Sequence, residues 1–199
     1  MKEIVINEKI SYLEHTDDPL SADVGIIREG GEIWLFDVGN DVRNIDELTG
    51  KYNVVLSHFH QDHVGSLEKI GIQKLYVSKE TQNHVKVIGE IVEEDLFIGN
   101  LHIFPIRSSH SKGSLGLEVD ETYAFVGDAL YCKMKDGMPC YNAQLLYEEI
   151  RKLKSLKAQY LLASHHPGLV REKAEVIAEL EEIYARRVQG SPDIFLGGE

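Results

Sequence analysis

Cysteine is nearly missing from this chain: Cys132 and Cys140 are the two that 199 residues hold. Their spacing in "CKMKDGMPC" is too wide for a C-x-x-C motif, and two thiols do not make a disulfide framework, so two reduced thiols in or near a loop are expected. Long apolar runs are missing too. None approaches the roughly 18 residues that a membrane helix needs, and the opening "MKEIVINEKISYLEH" has no apolar segment of signal-peptide type. The expectation is a cytoplasmic protein without a membrane partner. Positive charge is also scarce. The 21 Lys and Arg against 33 Asp and Glu leave a formal net charge of −12, which repels phosphate backbones. The densest basic group, Arg151, Lys152, Lys154 and Lys157, reads as a solvated helix face. Nucleic acid is therefore not an expected partner. There is no low-complexity tract and no repeat of fixed short period.

What is present is an ordinary globular composition, 43% hydrophobic and 27% charged, in a length that suits one domain over residues 1–199. The first half is rich in short strand signals. "DVGIIREGGEIWLFDVG" reads as a hairpin turning at Glu29-Gly30-Gly31-Glu32. "KYNVVLS" is a buried strand, "VGSLEKIG" a short helix that Gly71 can end, and "QKLYVS" a further strand. A second β-rich block follows in "LHIFPIRS", "SLGLEV" and "TYAFVG"; Pro105 in the first marks an edge or a bulge. Leu145, Leu146, Ile150 and Leu153 form a helical stripe. A second stripe runs through Ala174, Ile177, Leu180, Ile183, Tyr184 and Val188, and the strand "AQYLLAS" lies between the two. Strands, a loop with functional groups and a helix thus occur twice in order. Two packed sheets with helices on their outer faces accommodate that duplication.

The stretch "SHFHQDH" at 57–63 concentrates ligand chemistry. His58 and His60 stand at i and i+2, so on an extended backbone they point the same way. Asp62 and His63 are adjacent and point elsewhere. Four ligand types in one loop therefore split into two pairs, each short of the three protein ligands that a catalytic zinc ion takes. Three later strand ends supply the rest: His110 after "LHIFPIRSS", Asp128 after "YAFVG", and His165 with His166 after "YLLAS". The resulting assignment puts His58, His60 and His110 on one divalent ion and Asp62, His63 and His165 on another. Asp128 bridges the two, and a water-derived hydroxide lies between them. Two ions, two aspartates and one hydroxide sum to about +1, which suits an anionic or carbonyl-bearing small molecule. His15, His84 and His102 stay outside this scheme. Tyr131, Lys133, Lys135 and Tyr141, after Asp128, are pocket candidates.

In order, "SHFHQDHVGS", "SSHSKGSLG", "FVGDAL" and "LLASHHPG" resemble the metallo-β-lactamase-fold hydrolases over residues 23 to about 168. The resemblance implies an α+β fold, a four-layer αββα sandwich with its metal site at the edge of the two sheets. It also makes Asp37, in "LFDVG", a buttress of the metal loop. There are departures. Ser57 stands where threonine is common, Gly65-Ser66 where a glycine pair is, and Ser109 in place of a frequent glycine. "ASHHPG" replaces P-G-H-G; His165, after the small residue, matches the ligand position best. A bridging aspartate without a ligand cysteine resembles the glyoxalase II-like and general hydrolase branches. The H-x-H start differs from the H-x-E of diiron flavoproteins. Only 34 residues (166–199) follow His165, short of the glutathione-binding helical region that full-length glyoxalase II carries.

The activity expected is metal-assisted hydrolysis of a thioester, ester or lactone, with Asp62 or Asp128 handling the proton. Two divalent ions, zinc first and iron or manganese also suited to the ligands, are the expected cofactors. A small phosphodiester is the alternative substrate, and a non-catalytic metal-binding sensor is the alternative of another class.

Overall fold

The computed structural model describes residues 3–41, 48 and 50–197. The chain begins with β1 (Glu3–Val5), β2 (Ile10–Leu13), the short pair β3 (Thr16–Asp17) and β4 (Leu20–Ser21), then β5 (Val24–Glu29), β6 (Glu32–Phe36) and β7 (Lys51–Val55). After β7 come helix α1 (Gln61–Val64), a 3-10 turn (Leu67–Lys69), β8 (Gly71–Val77), helix α2 (Lys79–Val85) and β9 (Glu90–Ile91). The second half holds β10 (Leu96–Ile98), β11 (Leu101–Ile106), β12 (Ser114–Val119), β13 (Tyr123–Gly127), β14 (Lys133–Lys135) and β15 (Met138–Asn142). It continues with α3 (Ala143–Ser155), β16 (Tyr160–Ala163), β17 (Val170–Glu172), α4 (Lys173–Ala185) and β18 (Asp193–Phe195).

One sheet runs β1-β2-β5-β6-β7-β8-β9, the other β10-β11-β12-β13-β16-β17. The first is antiparallel as far as β6 and parallel from β6 to β9. In the second, β13 and β16 are the parallel pair. Period-two side-chain alternation assigns each strand residue to a layer. Trp34, Phe36, Val55, Phe125 and Leu162 pack between the sheets, where Trp34 stacks on Tyr76 at 5.4 Å and Phe36 meets Phe125 at 5.3 Å. Their neighbours face outward. Leu35, Val54 and Leu56 join Val64, Leu67 and Ile70 on one side. Ala124, Val126, Leu161 and Ala163 join Leu146, Ile150, Leu153, Val176 and Leu180 of α3 and α4 on the other. Three apolar seams therefore separate four layers, helix–sheet–sheet–helix, which is the αββα sandwich.

The hairpin turns where expected: Glu29 pairs with Glu32, and Gly30 and Gly31 take φ of 60° and 81°, which glycine adopts without steric cost. Three local expectations change. The helix after the metal loop ends at Val64, and Gly71 opens β8 instead of ending a helix; residues 67–69 make only a 3-10 turn. In α4, Val176 takes the buried place expected of Ala174, and Val188 lies past the helix, 68% exposed. Pro105 sits in an internal strand, but β10 pairs only with residues 101–103, so Pro105 has no ladder partner on that side. Its missing N–H costs nothing there. Both cysteines are free, Cys140 buried and Cys132 half-buried. Among the described residues no helix is long and apolar enough to cross a membrane.

Candidate metal centre

All the histidines and aspartates assigned as ligands lie at one edge of the sandwich, beyond the C-terminal ends of strands from both sheets. β7 ends at Val55 and delivers His58 and His60; His60 has extended backbone (φ −67°, ψ 144°) and caps α1. The i, i+2 geometry holds: His58 Nε2 and His60 Nδ1 are 2.9 Å apart. Asp62 and His63, in the first turn of α1, turn the other way. From the second sheet, the loop after β11 brings His110, the end of β13 brings Asp128, and the end of β16 brings His165.

These residues form two groups whose potential ligand atoms converge, each within a 4.8 Å span. One is His58, His60 and His110, with His110 Nε2 3.0 Å from His60 Nδ1. The other is Asp62, His63, Asp128 and His165, with His165 Nε2 3.0 Å from Asp62 Oδ2 and His63 Nε2 3.5 Å from the same oxygen. Asp128 Oδ2 lies 3.3 Å from His63 Nε2 in its own group and 3.4 Å from His110 Nε2 in the other. His63 Nε2 and Asp128 Oδ1 are buried with no hydrogen-bond partner among the described residues. Buried polar atoms left in this state are costly, and a cation between the two groups would satisfy both. Donors of imidazole nitrogen and carboxylate oxygen suit zinc, iron or manganese.

A second set of residues fixes the candidate ligands. Asp37 is fully buried at φ 60°. Its Oδ1 accepts from the Ser57 N–H at 2.7 Å, and its Oδ2 accepts from Ser57 Oγ and from His63 Nδ1, each at 2.7 Å. His63 is thereby held with Nε2 facing the ligand cluster, as a carboxylate partner does for a ligating histidine. Gly127, at φ 56°, lets this happen: a Cβ there would stand 2.8 Å from Ser57 Cβ and Oγ.

Protonation divides the groups. Burial drives His58 far below the ordinary imidazole value, and the surrounding imidazoles add to the drop. Burial also lowers His60, with help from His110, and lowers His110 against the pull of Asp128. For His63, burial acts downward but Asp37 and Asp128 outweigh it and hold the imidazole up at about 10. His165 is raised, chiefly by its hydrogen bond to Asp62. Burial works against the Asp62 carboxylate, but the His165 bond and nearby His63 hold it below the usual range. In the metal-free protein the first group is neutral at pH 7, and the second stores protons against its carboxylates.

His166 turns away from this centre. It lines a recess of about 180 Å³ with Tyr131, Tyr141 and Arg171 under α4. Tyr131 and Tyr141 bond the Ser164 and Leu130 carbonyls there, each at 2.7 Å. Lys133 and Lys135 are exposed on β14 and do not line the recess. His15, His84 and His102 belong to neither ligand group: His84 stacks on Phe59 at 4.0 Å, and His102 bonds Glu118 at 2.9 Å. Sequence reasoning missed Asp23. This buried carboxylate accepts the backbone N–H of His15 at 3.0 Å and of His165 at 2.9 Å. Burial raises its pKa against those bonds. Its only sequence signal was an acid beside the apolar run of β5, which is no signal of a contact 142 residues away.

A scan against protein-family models and a search of curated proteins each return no match. Solved structures do match. A metallo-β-lactamase from Hirschia baltica superposes with a TM-score of 0.68 at 13% identity, over 92% of this chain and 97% of that one. The metallo-β-lactamase FIM-1 from Pseudomonas aeruginosa, in its mono-zinc form, gives 0.65 at 15% identity, over 91% and 94%. An archaeal metallo-β-lactamase superfamily protein from Sulfolobus tokodaii gives 0.59 at 17% identity, over 89% and 85%. Four layers with a ligand cluster at the shared sheet edge, and these superpositions, identify the architecture: the chain has the metallo-β-lactamase fold.

Proposed function

We propose that this protein is a metal-dependent hydrolase with a dinuclear centre, zinc being the first choice, acting on a small thioester, ester or lactone. The observation that carries the reading is the position of Asp128 Oδ2, 3.4 Å from His110 Nε2 and 3.3 Å from His63 Nε2. One carboxylate within reach of both ligand groups suits a bridging role. His58, His60 and His110 would hold one ion, and Asp62, His63 and His165 the other. Bound cations of this kind act as Lewis acids on a carbonyl oxygen and lower the pKa of water toward neutrality. That zinc is the metal draws support from the FIM-1 neighbour, which is described in a mono-zinc form.

The chain's own groups supply orientation and proton handling. His58, His63 and Asp128 are buried, whereas His60, Asp62, His110 and His165 are half-buried. Substrate therefore approaches across the second set. Asp62, held ionised at neutral pH, is the available base on that side: it would take a proton from the attacking water and pass it to the leaving group. Asp128, 5% exposed, is shielded by the loops and serves mainly to space the two ligand groups. Asp37 keeps the His63 ring fixed throughout.

The test is turnover by the zinc-loaded protein against esters, thioesters, lactones and phosphodiesters. Turnover of a carbonyl substrate, abolished in Asp62→Asn with zinc still bound, is the expected result. Turnover of phosphodiesters alone would move the reading to that class. Full zinc occupancy with no turnover of any of them would support a non-catalytic binding module and contradict the hydrolase.

A further inference from the structure

Ser21, which ends β4, and the next two residues, Ala22 and Asp23, reach three separate segments around the candidate metal centre. All three are buried. Ser21 Oγ accepts the backbone N–H groups of Asn40 at 2.8 Å and Asp41 at 3.2 Å, in the loop that follows Asp37. The Ala22 N–H donates to the Asp62 carbonyl at 2.9 Å. Asp23 Oδ2 accepts the His165 N–H at 2.9 Å while Oδ1 accepts that of His15 at 3.0 Å. The His15 ring packs edge-on against the His165 ring, with centroids 5.6 Å apart. Apart from the bond to the His15 N–H, these contacts fall on the second ligand group or on the loop that follows Asp37. The first group has a separate brace in Ser57, whose Oγ lies 2.9 Å from His58 Nδ1 and donates to Asp37.

The His165 backbone makes the need for such a tie specific. Its φ is 61°, a left-handed conformation that a residue with a Cβ adopts only when its surroundings over-determine it. The preceding residue is pinned by Ser164 N–H to the Gly127 carbonyl at 3.0 Å. The N–H of His165 itself is pinned by Asp23. A carboxylate has two acceptor oxygens and here uses one for each strand of the tie; an amide keeps one acceptor, and alanine keeps none.

We propose that Ser21-Ala22-Asp23 is a positioning element for the second half-site, with Asp23 the positioning residue for His165. The proposal rests on the reading of His165 and Asp62 as metal ligands. Loss of Asp23 leaves the His58/His60/His110 half-site intact and loosens the other.

Zinc affinity of each half-site, read by competition with a chromophoric chelator on the full chain, tests it, with cobalt(II) spectra reporting ligand geometry. Wild type and His165→Ala examine the ligand reading: wild type takes up two equivalents, and His165→Ala weakens one of them. Two equivalents at wild-type affinity in His165→Ala would overturn the ligand reading, and this proposal with it. Given that control, Asp23→Ala keeps the tighter equivalent within about threefold and weakens the other by about 10- to 100-fold, as loss of outer partners does. Asp23→Asn falls between, and adding it to His165→Ala costs nothing further, since coupled residues are non-additive. Equal weakening of both equivalents, or no weakening in a folded Asp23 variant, overturns the proposal. If Asp23→Ala does not fold, Asp23→Asn is judged by the same criteria.

Discussion

Loading the second half-site should release a proton, and loading the first should not. The reason lies in His63. Its Nδ1–H is engaged by Asp37 Oδ2 at 2.7 Å, so the proton that gives the ring its raised value sits on Nε2, between Asp62 and Asp128. A metal ion needs that same nitrogen. With a value of about 10, the ring is charged at pH 7, and displacing its proton costs about three pH units, or roughly a thousandfold in affinity. His58, His60 and His110 are all lowered by burial and ask no such cost. Calorimetric zinc titration of the metal-free protein at pH 7, repeated in buffers of different ionisation enthalpy, reads the protons directly. The first equivalent should release almost none and the second about one or more. The affinity of the second should rise up to about tenfold per pH unit between 7 and 9. In Asp37→Asn the ring loses its main upward influence, so proton release and pH slope should both shrink. Equal release by both equivalents, or a second affinity that ignores pH, would refute this division of the site. The same linkage acts on folding. The metal-free protein gains stability from His63 that is fully present below pH 6.5 and is lost as pH rises toward 10.

Asp128→Ala should lose zinc and turnover together, read by elemental analysis beside the substrate assay; a variant with full zinc and full activity would remove Asp128 from the bridging role. Gly127→Ala puts a Cβ into a left-handed position against Ser57 and should cost about 1–2 kcal/mol in a urea melt, with weaker zinc binding because Ser57 braces Asp37. Wild-type stability in that variant would refute the steric constraint at this position. Glu149, fully buried on α3 with neither carboxylate oxygen hydrogen-bonded among the described residues, has its pKa raised well above the ordinary value by burial. The unfolded chain ionises it first, so stability falls as pH rises above about 4.5, by up to about 1.4 kcal/mol per unit. Glu149→Gln should flatten that slope in melts between pH 4.5 and 7, and an unchanged slope would refute the assignment.

The sandwich and the clustering of the candidate ligands were legible because both rest on local rules. Alternation along "IWLF" and "YAFV" sorts side chains between layers, and i, i+2 spacing on extended backbone aims His58 and His60 together. Strand ends deliver His110, Asp128 and His165 because sheets place their loops at shared edges. Long-range, single-atom relations were not legible. Asp23 looks like any acid beside a strand, yet it ties His15 to His165. Glu149 falls on the buried stripe with Leu146, Ile150 and Leu153, where a pattern of apolar residues passes over one acid. The choice between His165 and His166 rested on resemblance in the sequence; in the fold, His165 faces Asp62 while His166 lines the recess under α4. The short helix expected over "VGSLEKIG" was misplaced because a glycine such as Gly71 ends a helix and opens a strand equally well.

The dinuclear reading is tested most directly by zinc content, measured by elemental analysis on protein purified without chelators. It predicts two equivalents per chain in the wild type, and one in His60→Ala or in His165→Ala, since each removes a ligand from a different half-site. Two equivalents surviving in both variants, or none in the wild type, would contradict it.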